Sequence, residues 1–441
     1  MFSYFDAINY LNSIPWTTRK PGLHRMKELM ERLGNPQDAL KFIHIAGTNG
    51  KGSTSAMLAS VLREAGYKAG LFTSPHLLRV NERMRIDGEE ICDDEFAGIV
   101  SLVAGVAKKM QEEPSEFEVL TAAGFMWFKQ KQCDIVVLEV GLGGEFDSTN
   151  IIKTKEVAVI TPIGYDHTAI LGDNIEDIAK AKAGIITDSC DVVLAVQKGF
   201  SEHENFCTKL TDSYRIEKVV TEKAFEKNAR LHIPDYDSIQ LVSSSIEGQV
   251  FTSSYSILPI RLNLIGAYQL QNVATVLETI MVLNSNGSGF KIDENAVCAG
   301  LSKVEWAARF EVIHKNPVFI LDGAHNDHGV RAAVRSLKDI FGEKKIIYIL
   351  GILSDKNIDE MLKELCSNAK CFITLTPESS RALAGEKLAE RLRSSGFDAI
   401  SFNEPEEAVK YSFRLCRDDD VICSIGSLYL AGHVRECIKS F

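Results

Sequence analysis

The chain has 441 residues, of which 45% are hydrophobic and 25% are charged, and its formal net charge at pH 7 is −11. This composition is typical of a globular protein, and the length is great for one hydrophobic core, so we expect two domains. The negative charge argues against a nucleic-acid surface, which needs clustered lysine and arginine, and an anionic substrate would need a local basic pocket.

The ten cysteines are scattered, and none forms a Cys-x-x-Cys pair. This spacing favours free core thiols over a disulfide framework or a zinc site. The N-terminus has no basic segment followed by an apolar one, and no apolar run approaches membrane-spanning length. We therefore expect a cytoplasmic protein that does not contact a membrane.

The first motif along the chain is GTNGKGS (47–53), which follows a predicted strand (42–46) and precedes a predicted helix (53–64). Such a turn surrounds an anion with backbone N–H groups, the helix N-terminus adds partial positive charge, and Lys51 adds a full charge. The motif is shorter than the usual P-loop, and Gly52 separates the lysine from Ser53. It predicts phosphate binding. The alternative is an ordinary glycine turn with a solvated lysine.

Apolar runs typical of strands alternate with helical patterns through the first half of the chain, at 42–46, 69–72, 135–140, 157–161 and 192–196. This alternation predicts a parallel sheet with helices on its faces. Residues from about 215 to 260 are polar and serine-rich and predict a small antiparallel hairpin insertion. A helix is expected over 269–284.

Polar residues follow three of these strands, and ligands of parallel sheets bind beyond the carboxyl ends of strands. Ser74 lies in FTSPHL (72–77), where a plain strand-ending turn is the simpler interpretation. Glu139 lies within the apolar run 135–140, where an unpaired carboxylate is costly, so it needs a magnesium ion near a phosphate or a buried arginine or lysine. His167 follows the fourth strand at the same predicted edge.

The next segment predicts a helix that begins at a capping arrangement of Asp173 with Glu176. Lys182 shares the apolar face of this helix, whereas Lys180 points elsewhere. Spacing alone predicts that the Lys182 amine reaches past the apolar surface to water.

The second half carries another series of predicted strands, at 318–321, 346–350, 371–375 and 421–424, with a helix over 329–341. We therefore predict two α/β domains, a larger one over 1–312 and a smaller one over 318–441, joined near residues 312 to 317. Arg309, Asp322 and His325 lie near this junction, from which they could close over a nucleotide.

Taken together, the motifs resemble the folylpolyglutamate synthase and dihydrofolate synthase family of the Mur ligase superfamily. The resemblance rests on motifs in the family's order: GLHRMKELMERLGNPQ (22–37), GTNGKGS, FTSPHL, LEVGLGG, DGAHN and GSLYLAG. It implies an α/β fold, with an N-terminal P-loop ATPase domain built on a parallel sheet and a smaller C-terminal Rossmann-like domain that binds glutamate.

The resemblance also implies roles for individual residues. The implied ATP contacts are Asn49, Gly50, Lys51, Gly52, Ser53, Asn272, Arg309 and Asp322. The implied magnesium ligands are Ser74, Glu139 and His167. The implied catalytic residues are Lys51, His325 and Lys182, the last as a carbamate, which replaces the interpretation from spacing. The implied pterin contacts are Phe117 and Asp147, although core packing of Phe117 and turn capping by Asp147 are the alternatives.

The implied reaction uses ATP and Mg2+ to convert a folate or dihydropteroate carboxylate into an acyl phosphate, which the amine of L-glutamate then attacks. A monomer that binds no nucleic acid is expected. The chain departs from the family pattern where it has Glu145 for arginine, Tyr268 for histidine, Ala307-Ala308 for Pro-Gly, Asp327 for proline and Asn357 for aspartate.

Two other functions are possible. Another Mur-type amide ligase, such as a cell-wall ligase, would be expected to carry a separate substrate domain, but only about 45 residues precede the P-loop motif. A non-catalytic nucleotide-binding protein would not need the histidine and carboxylate of DGAHN.

Overall fold

The computed structural model describes residues 1–14, 22–197 and 210–439. The chain divides into two compact units. The first comprises Met1–Ile239, Ser253–Leu258 and Gln271–Val304, and the second comprises Gln240–Thr252, Pro259–Leu270 and Glu305–Phe441. The functional domains 1–312 and 318–441 stay a prediction.

The first unit is built around a sheet. Its strands are β1 (Phe42–Ala46), β2 (Ala69–Phe72), β3 (Met84–Ile86), β4 (Glu89–Glu90), β5 (Ile135–Glu139), β6 (Val157–Ile160), β7 (Asp191–Leu194) and β8 (Arg230–His232). In the part of the chain that the structure describes, their order is β4-β3-β2-β5-β1-β6-β7-β8. Neighbours from β2 to β8 are parallel, and β3 and β4 continue the sheet antiparallel. The predicted parallel sheet is confirmed.

Eight helices of the described residues accompany this sheet. They are α1 (Tyr4–Ser13), α2 (His24–Arg32), α3 (Lys51–Glu64), α4 (Asp93–Ala107), α5 (Glu116–Gln130), α6 (Thr168–Leu171), α7 (Ile175–Ala183) and α8 (Leu210–Glu226). Short 3-10 turns span Pro36–Ala39, Val80–Arg83 and Ser148–Ile151. Every residue of β1 and β5 is buried, as in parallel strands covered by helices.

The predicted hairpin insertion over 215–260 is partly wrong. Residues up to 226 belong to α8, whose buried Ile216, Val219 and Val220 have helical spacing, and β8 joins the main sheet. The serine-rich segment forms β9 (Gln240–Ser245), β10 (Gly248–Ser253) and β11 (Ser256–Leu262), in the order β11-β10-β9 with β9 and β10 antiparallel. Because polar residues surround this short apolar stripe, the sequence pattern did not indicate a helix.

The remaining helices before the second sheet are α9 (Tyr268–Ser285), which confirms the helix predicted there, and α10 (Glu294–Lys303). The strands of the second sheet are β12 (Glu311–Lys315), β13 (Val318–Leu321), β14 (Lys345–Leu350), β15 (Ala369–Thr374), β16 (Ala399–Ser401) and β17 (Asp420–Ile425). Their order is β12-β13-β17-β14-β15-β16. Its helices are α11 (Asp327–Phe341), α12 (Ile358–Leu365), α13 (Gly385–Ser394), α14 (Pro405–Leu415) and α15 (Leu428–Lys439).

Strand β12 pairs antiparallel with β13, and the other neighbours in this sheet are parallel. Most of the segment expected to join the domains near 312 to 317 therefore lies in a strand. The α/β fold class predicted from the sequence is confirmed by both sheets.

The nine cysteines that the structure describes are free thiols, as expected, but only Cys133, Cys190, Cys371 and Cys423 are buried core thiols. Cys207 lies outside the described residues. Among the described helices, none has the length and apolar character needed to span a bilayer.

Candidate active site

Four loops of the first unit meet at one edge of its sheet. They follow β2, β5, β1 and β6, which are parallel neighbours in that order, so their carboxyl ends lie side by side. At or just beyond these ends lie Ser74, Glu139, Lys51 and His167. The sequence-based expectation that these four residues share one edge is therefore confirmed by the topology.

Glycine is required at two positions of the loop after β1. Gly47 and Gly50 have φ of +151° and +84°, where a side chain is strained. A Cβ at Gly47 would overlap the Thr161 side chain, and one at Gly50 would overlap the side-chain oxygen of Asn272. Asn272, a buried residue of α9, therefore lies directly against the turn that precedes Lys51.

The loop after β6 holds the glycine loop in shape. The backbone N–H groups of Thr48 and Asn49 donate to the Pro162 carbonyl at 3.0 and 3.2 Å. The Thr48 hydroxyl donates to the Gly164 carbonyl and accepts from the Gly164 N–H, each at 3.0 Å. The sequence contains no signal from which this hydrogen-bonding role of Thr48 could have been predicted. Helix α3 begins directly after this loop, and the partial positive charge of its N-terminus favours an anion there.

Two lysine amines converge on the glycine loop. Lys51 donates to the carbonyls of Gly47 and Thr48 at 3.2 and 3.3 Å, and Lys182 donates to the same Gly47 carbonyl at 2.8 Å. Burial, and secondly the charge of Lys51, lower the pKa of Lys182 to about 7. The interpretation from spacing alone, that this amine reaches water, is wrong because α7 packs its apolar face against the protein.

Neighbouring residues of α7 behave as polar surface. Lys180 is exposed and lies 3.7 Å from Asp177, as expected for a residue that points elsewhere. The predicted capping pair of Asp173 with Glu176 is wrong by one residue, since Asn174 accepts from the backbone of Asp177 at 2.8 Å. Both pairs have the same spacing, so the pattern could not distinguish them.

Glu139 and Ser74 are in direct contact. Glu139 is the last residue of β5 and only 4% exposed, and its Oε2 accepts the Ser74 N–H at 3.2 Å. A carboxylate and a serine hydroxyl are both oxygen ligands, the kind that Mg2+ prefers. These two residues therefore fit a magnesium site next to the glycine loop.

His167 lies at the end of the loop that follows β6. It has φ of +52° and begins the short helix α6. Its Nε2 lies 3.9 Å from the Asp166 carboxylate, and its side chain is 41% exposed. Among the described residues, no three His, Cys, Asp or Glu side chains are grouped to hold a metal, and the expected set contains only two residues of these types.

Phe117 and Asp147 flank Gly141. A Cβ at Gly141 would lie 2.5 Å from Phe117 Cζ and 3.2 Å from Asp147 Oδ2, so glycine leaves room for both. Asp147 is buried and caps the turn Ser148–Ile151, with Oδ1 accepting the Thr149 N–H at 3.0 Å and Oδ2 accepting the Leu142 N–H at 2.9 Å. Burial raises the pKa of this carboxyl. The capping expected as an alternative is therefore observed.

In the second unit, three candidate residues surround Gly323 at the carboxyl end of β13. Asp322 is buried, which raises its pKa, and it accepts the N–H groups of Phe310 and Ala324 at 2.7 Å each. His325 shares a hydrogen bond of 2.9 Å with the Gly323 carbonyl, and a Cβ at Gly323 would lie 2.7 Å from Arg309 Nη1. The structure therefore groups Arg309, Asp322 and His325.

The chain matches known families over both units. Residues 45–280 match the Mur ligase middle domain, and residues 308–428 match the Mur ligase glutamate ligase domain. A dihydrofolate synthase/folylpolyglutamate synthase of Bacillus subtilis is 33% identical over 446 residues, which covers 99% of each chain.

Solved structures agree in fold over the whole chain. FolC of E. coli, in complex with DHPP and ADP, is 28% identical with a TM-score of 0.84, covering 99% of this chain and 98% of that one. A bifunctional folylpolyglutamate synthase/dihydrofolate synthase of Yersinia pestis, complexed with AMPPNP and Mn ion, is 29% identical with a TM-score of 0.83 and the same coverage.

Proposed function

Because the chain belongs to the folylpolyglutamate synthase and dihydrofolate synthase family of Mur ligases, we propose that it joins L-glutamate to a folate or dihydropteroate carboxylate at the expense of ATP. The observation that carries this proposal is the convergence of Lys51 and Lys182 on the Gly47 carbonyl, at the N-terminus of α3. The positive charge of Lys51 and of the helix N-terminus suits a triphosphate.

ATP lies on the glycine loop in this proposal. Its phosphates contact the first turn of α3, formed by Gly50, Lys51, Gly52 and Ser53, with Asn49 and Asn272 beside them. Lys51 gives up its two loop carbonyls for the phosphates and neutralises charge as the γ-phosphoryl group is transferred. The ADP and AMPPNP complexes of the E. coli and Yersinia proteins support this assignment.

In this proposal Ser74, Glu139 and His167 are the residues that would hold Mg2+. The ion, when bound, supplies Lewis-acid neutralisation of the transferred phosphoryl group. The contact between Ser74 and Glu139 and the Mn ion of the Yersinia complex support it.

The reaction proceeds in two displacements. An oxygen of the substrate carboxylate attacks the γ-phosphorus of ATP and ADP leaves, which gives an acyl phosphate. The amine of L-glutamate then attacks the acyl carbon, phosphate leaves, and the nitrogen loses a proton to give the amide. Activation is needed because a carboxylate would otherwise have to expel oxide.

Lys182 carries a carbamate in this proposal. Its neutral amine adds to the carbon of CO2 and loses one proton, which requires that the amine is not fully protonated near neutral pH. A pKa of about 7 meets this requirement. The resulting anion would face the bound metal or its water shell.

The second unit supplies the rest of the catalytic machinery. Arg309 and Asp322 contact the nucleotide, and His325 acts in the region where glutamate reacts. In the neutral ring, Nδ1–H donates to the Gly323 carbonyl, so Nε2 is its acceptor nitrogen. We assign ATP binding to the domain 1–312 and glutamate binding to 318–441, in a cytoplasmic monomer.

The pterin half of the substrate lies against Phe117, whose ring stacks on it, and Asp147, which accepts its N–H groups. We propose activity on both dihydropteroate and reduced folates. The E. coli and Yersinia relatives, named for DHPP binding and for both activities, support this breadth. Glu145, where the family has arginine, has an exposed side chain and could shift the balance between the two substrates.

Phosphate release from the purified protein tests the proposal, with ATP, Mg2+, L-glutamate and either dihydropteroate or tetrahydrofolate. Release should require every component, and Asp147→Ala should lower kcat/KM for both pterin substrates. Release with a UDP-sugar peptide and an amino acid instead would indicate another Mur ligase. Nucleotide binding without any turnover would indicate a non-catalytic protein.

A further inference from the structure

The segment 147–150 is fastened by its side chains to three different elements. The Ser148 hydroxyl shares a hydrogen bond of 2.8 Å with Thr121 of α5. The Asn150 amide donates to the Gly184 carbonyl, after α7, at 3.1 Å. Thr149 is fully buried and shares a hydrogen bond of 2.9 Å with Nε2 of His44, in the middle of β1.

These contacts form a hydrogen-bonded chain with one direction. The Thr149 hydroxyl donates to Asp147 Oδ1 at 2.6 Å, so its oxygen accepts from His44 Nε2–H. Nδ1 of His44 is then the acceptor, and the Lys155 amine lies 3.2 Å from it. The amine also donates to the Ile185 carbonyl at 2.5 Å. The chain therefore runs from Lys155 through His44 and Thr149 to Asp147.

This hydrogen-bonded chain gives the two oxygens of Asp147 different surroundings. Oδ1 accepts both the hydroxyl and the N–H of Thr149. Oδ2 accepts the Leu142 N–H and lies on the side of Gly141 and Phe117. The rotation of the carboxylate about its Cβ–Cγ bond is thus set by hydrogen bonds at both oxygens, and the shortest of them comes from the Thr149 hydroxyl.

A histidine inside a fully buried strand is expensive unless it is satisfied, since apolar side chains serve the packing of β1 at lower cost. His44 is fully buried, and burial, with the neighbouring Lys155, keeps its pKa well below the ordinary value, so the ring is neutral. A neutral ring can donate at one nitrogen and accept at the other, which this hydrogen-bonded chain requires.

We propose that Lys155, His44 and Thr149 are positioning residues that orient Asp147 Oδ2 toward the pterin half of the substrate. The inference rests on the proposed function and deepens it, because it places the control of pterin recognition in buried residues. It predicts that breaking the chain weakens pterin binding and leaves nucleotide binding unchanged.

The test compares Thr149→Val, which keeps the shape but removes the hydroxyl, with Thr149→Ser, which keeps the hydroxyl. We expect KM for dihydropteroate to rise about tenfold in Thr149→Val, from the loss of a hydrogen bond to a charged group, and to stay near the parent value in Thr149→Ser. KM for ATP should not change in either variant. An unchanged KM for dihydropteroate in Thr149→Val, or an equal rise in both KM values, would overturn the proposal.

A second arm covers the case in which Thr149→Val does not fold. Lys155→Met should raise KM for dihydropteroate, whereas Lys153→Met, which removes an exposed lysine two residues away, should not. Equal KM values in these two variants would also overturn the proposal. Turnover of the parent protein is measured first, because its absence would refute the proposed ligase function rather than the positioning role.

Discussion

The carbonyl of Gly47 accepts from two lysine amines, which brings these amines close together. Two cations held close together repel each other, so the pair is relieved when one amine loses its proton or an anion enters. Lys182 is the buried member and has the lowered pKa, whereas Lys51 is only half-buried. Lys51 is therefore the amine that can turn toward a phosphate.

Replacement of Lys51 by alanine should lower kcat for ADP formation by about a thousandfold or more, because charge on the transferred phosphoryl group would lose its neutralising partner. The fold should be retained, since the side chain contacts only two loop carbonyls. Steady-state kinetics and a thermal melt check both statements. Turnover close to that of the parent would contradict the assignment of this loop to ATP.

Lys182 should make the free energy of unfolding depend on pH. Its folded pKa of about 7 lies below the ordinary 10.5, so the unfolded chain binds more protons between these values. Stability therefore rises with pH through this window, by up to ~1.4 kcal/mol per pH unit.

Urea titrations from pH 7 to 10 in CO2-free buffer measure this dependence. In Lys182→Met the contribution should be absent, so the variant should gain less stability than the parent as the pH rises. Lys180→Met, which removes an exposed lysine of the same helix, should keep the parent slope. Parallel pH profiles for Lys182→Met and the parent would contradict this prediction, because they would show that burial does not lower the pKa of the Lys182 amine.

At the scale of elements, the turn before β12 carries backbone strain. Ala308 and Phe310 have φ of +54° and +50°, a conformation that costs an L-residue roughly 1–2 kcal/mol. Ala308 is fully buried and its carbonyl accepts from Gly323 and Arg309 at 2.8 and 2.9 Å, so the turn helps to build the site of the second unit.

Ala308→Gly should therefore stabilise the protein by up to about 1 kcal/mol, since glycine adopts this φ freely but loses more entropy on folding. Ala307 is outside the positive-φ residues, and Ala307→Gly should instead destabilise by a similar amount. Urea unfolding of the two variants measures the difference. A loss of stability in Ala308→Gly would mean that packing at the methyl group outweighs the strain.

Elements whose signals are local in the sequence could be predicted. The glycine loop needs only neighbouring residues, so β1, the turn and the α3 helix were all predicted, although the helix begins at Lys51 rather than Ser53. The direction of the Lys182 amine could not be predicted, because it depends on the Gly47 carbonyl, 135 residues away. The position of Asn272 against Gly50 likewise depends on tertiary packing.

At the scale of the whole molecule, the net charge of the protein has the same sign as the charge of its substrates. The formal net charge of −11 repels ATP, glutamate and folates alike at long range. The attraction between the protein and these anions must therefore act at short range, within one Debye length, which is ~10 Å at 0.1 M salt. Lys51 and the N-terminus of α3 supply it at one edge of the sheet, where the substrates are proposed to react.

The central position of β1 has a consequence for the order of folding. The glycine loop is completed by residues far along the chain, since Thr48 bonds Gly164 at a separation of 116 residues and Gly47 bonds Lys182 at 135. Such non-local contacts form slowly, because a long segment must be closed before they are made. On dilution from denaturant, helical circular dichroism should return before binding of a fluorescent ATP analogue. On the ribosome, the loop cannot mature until the chain has been synthesised well beyond α7.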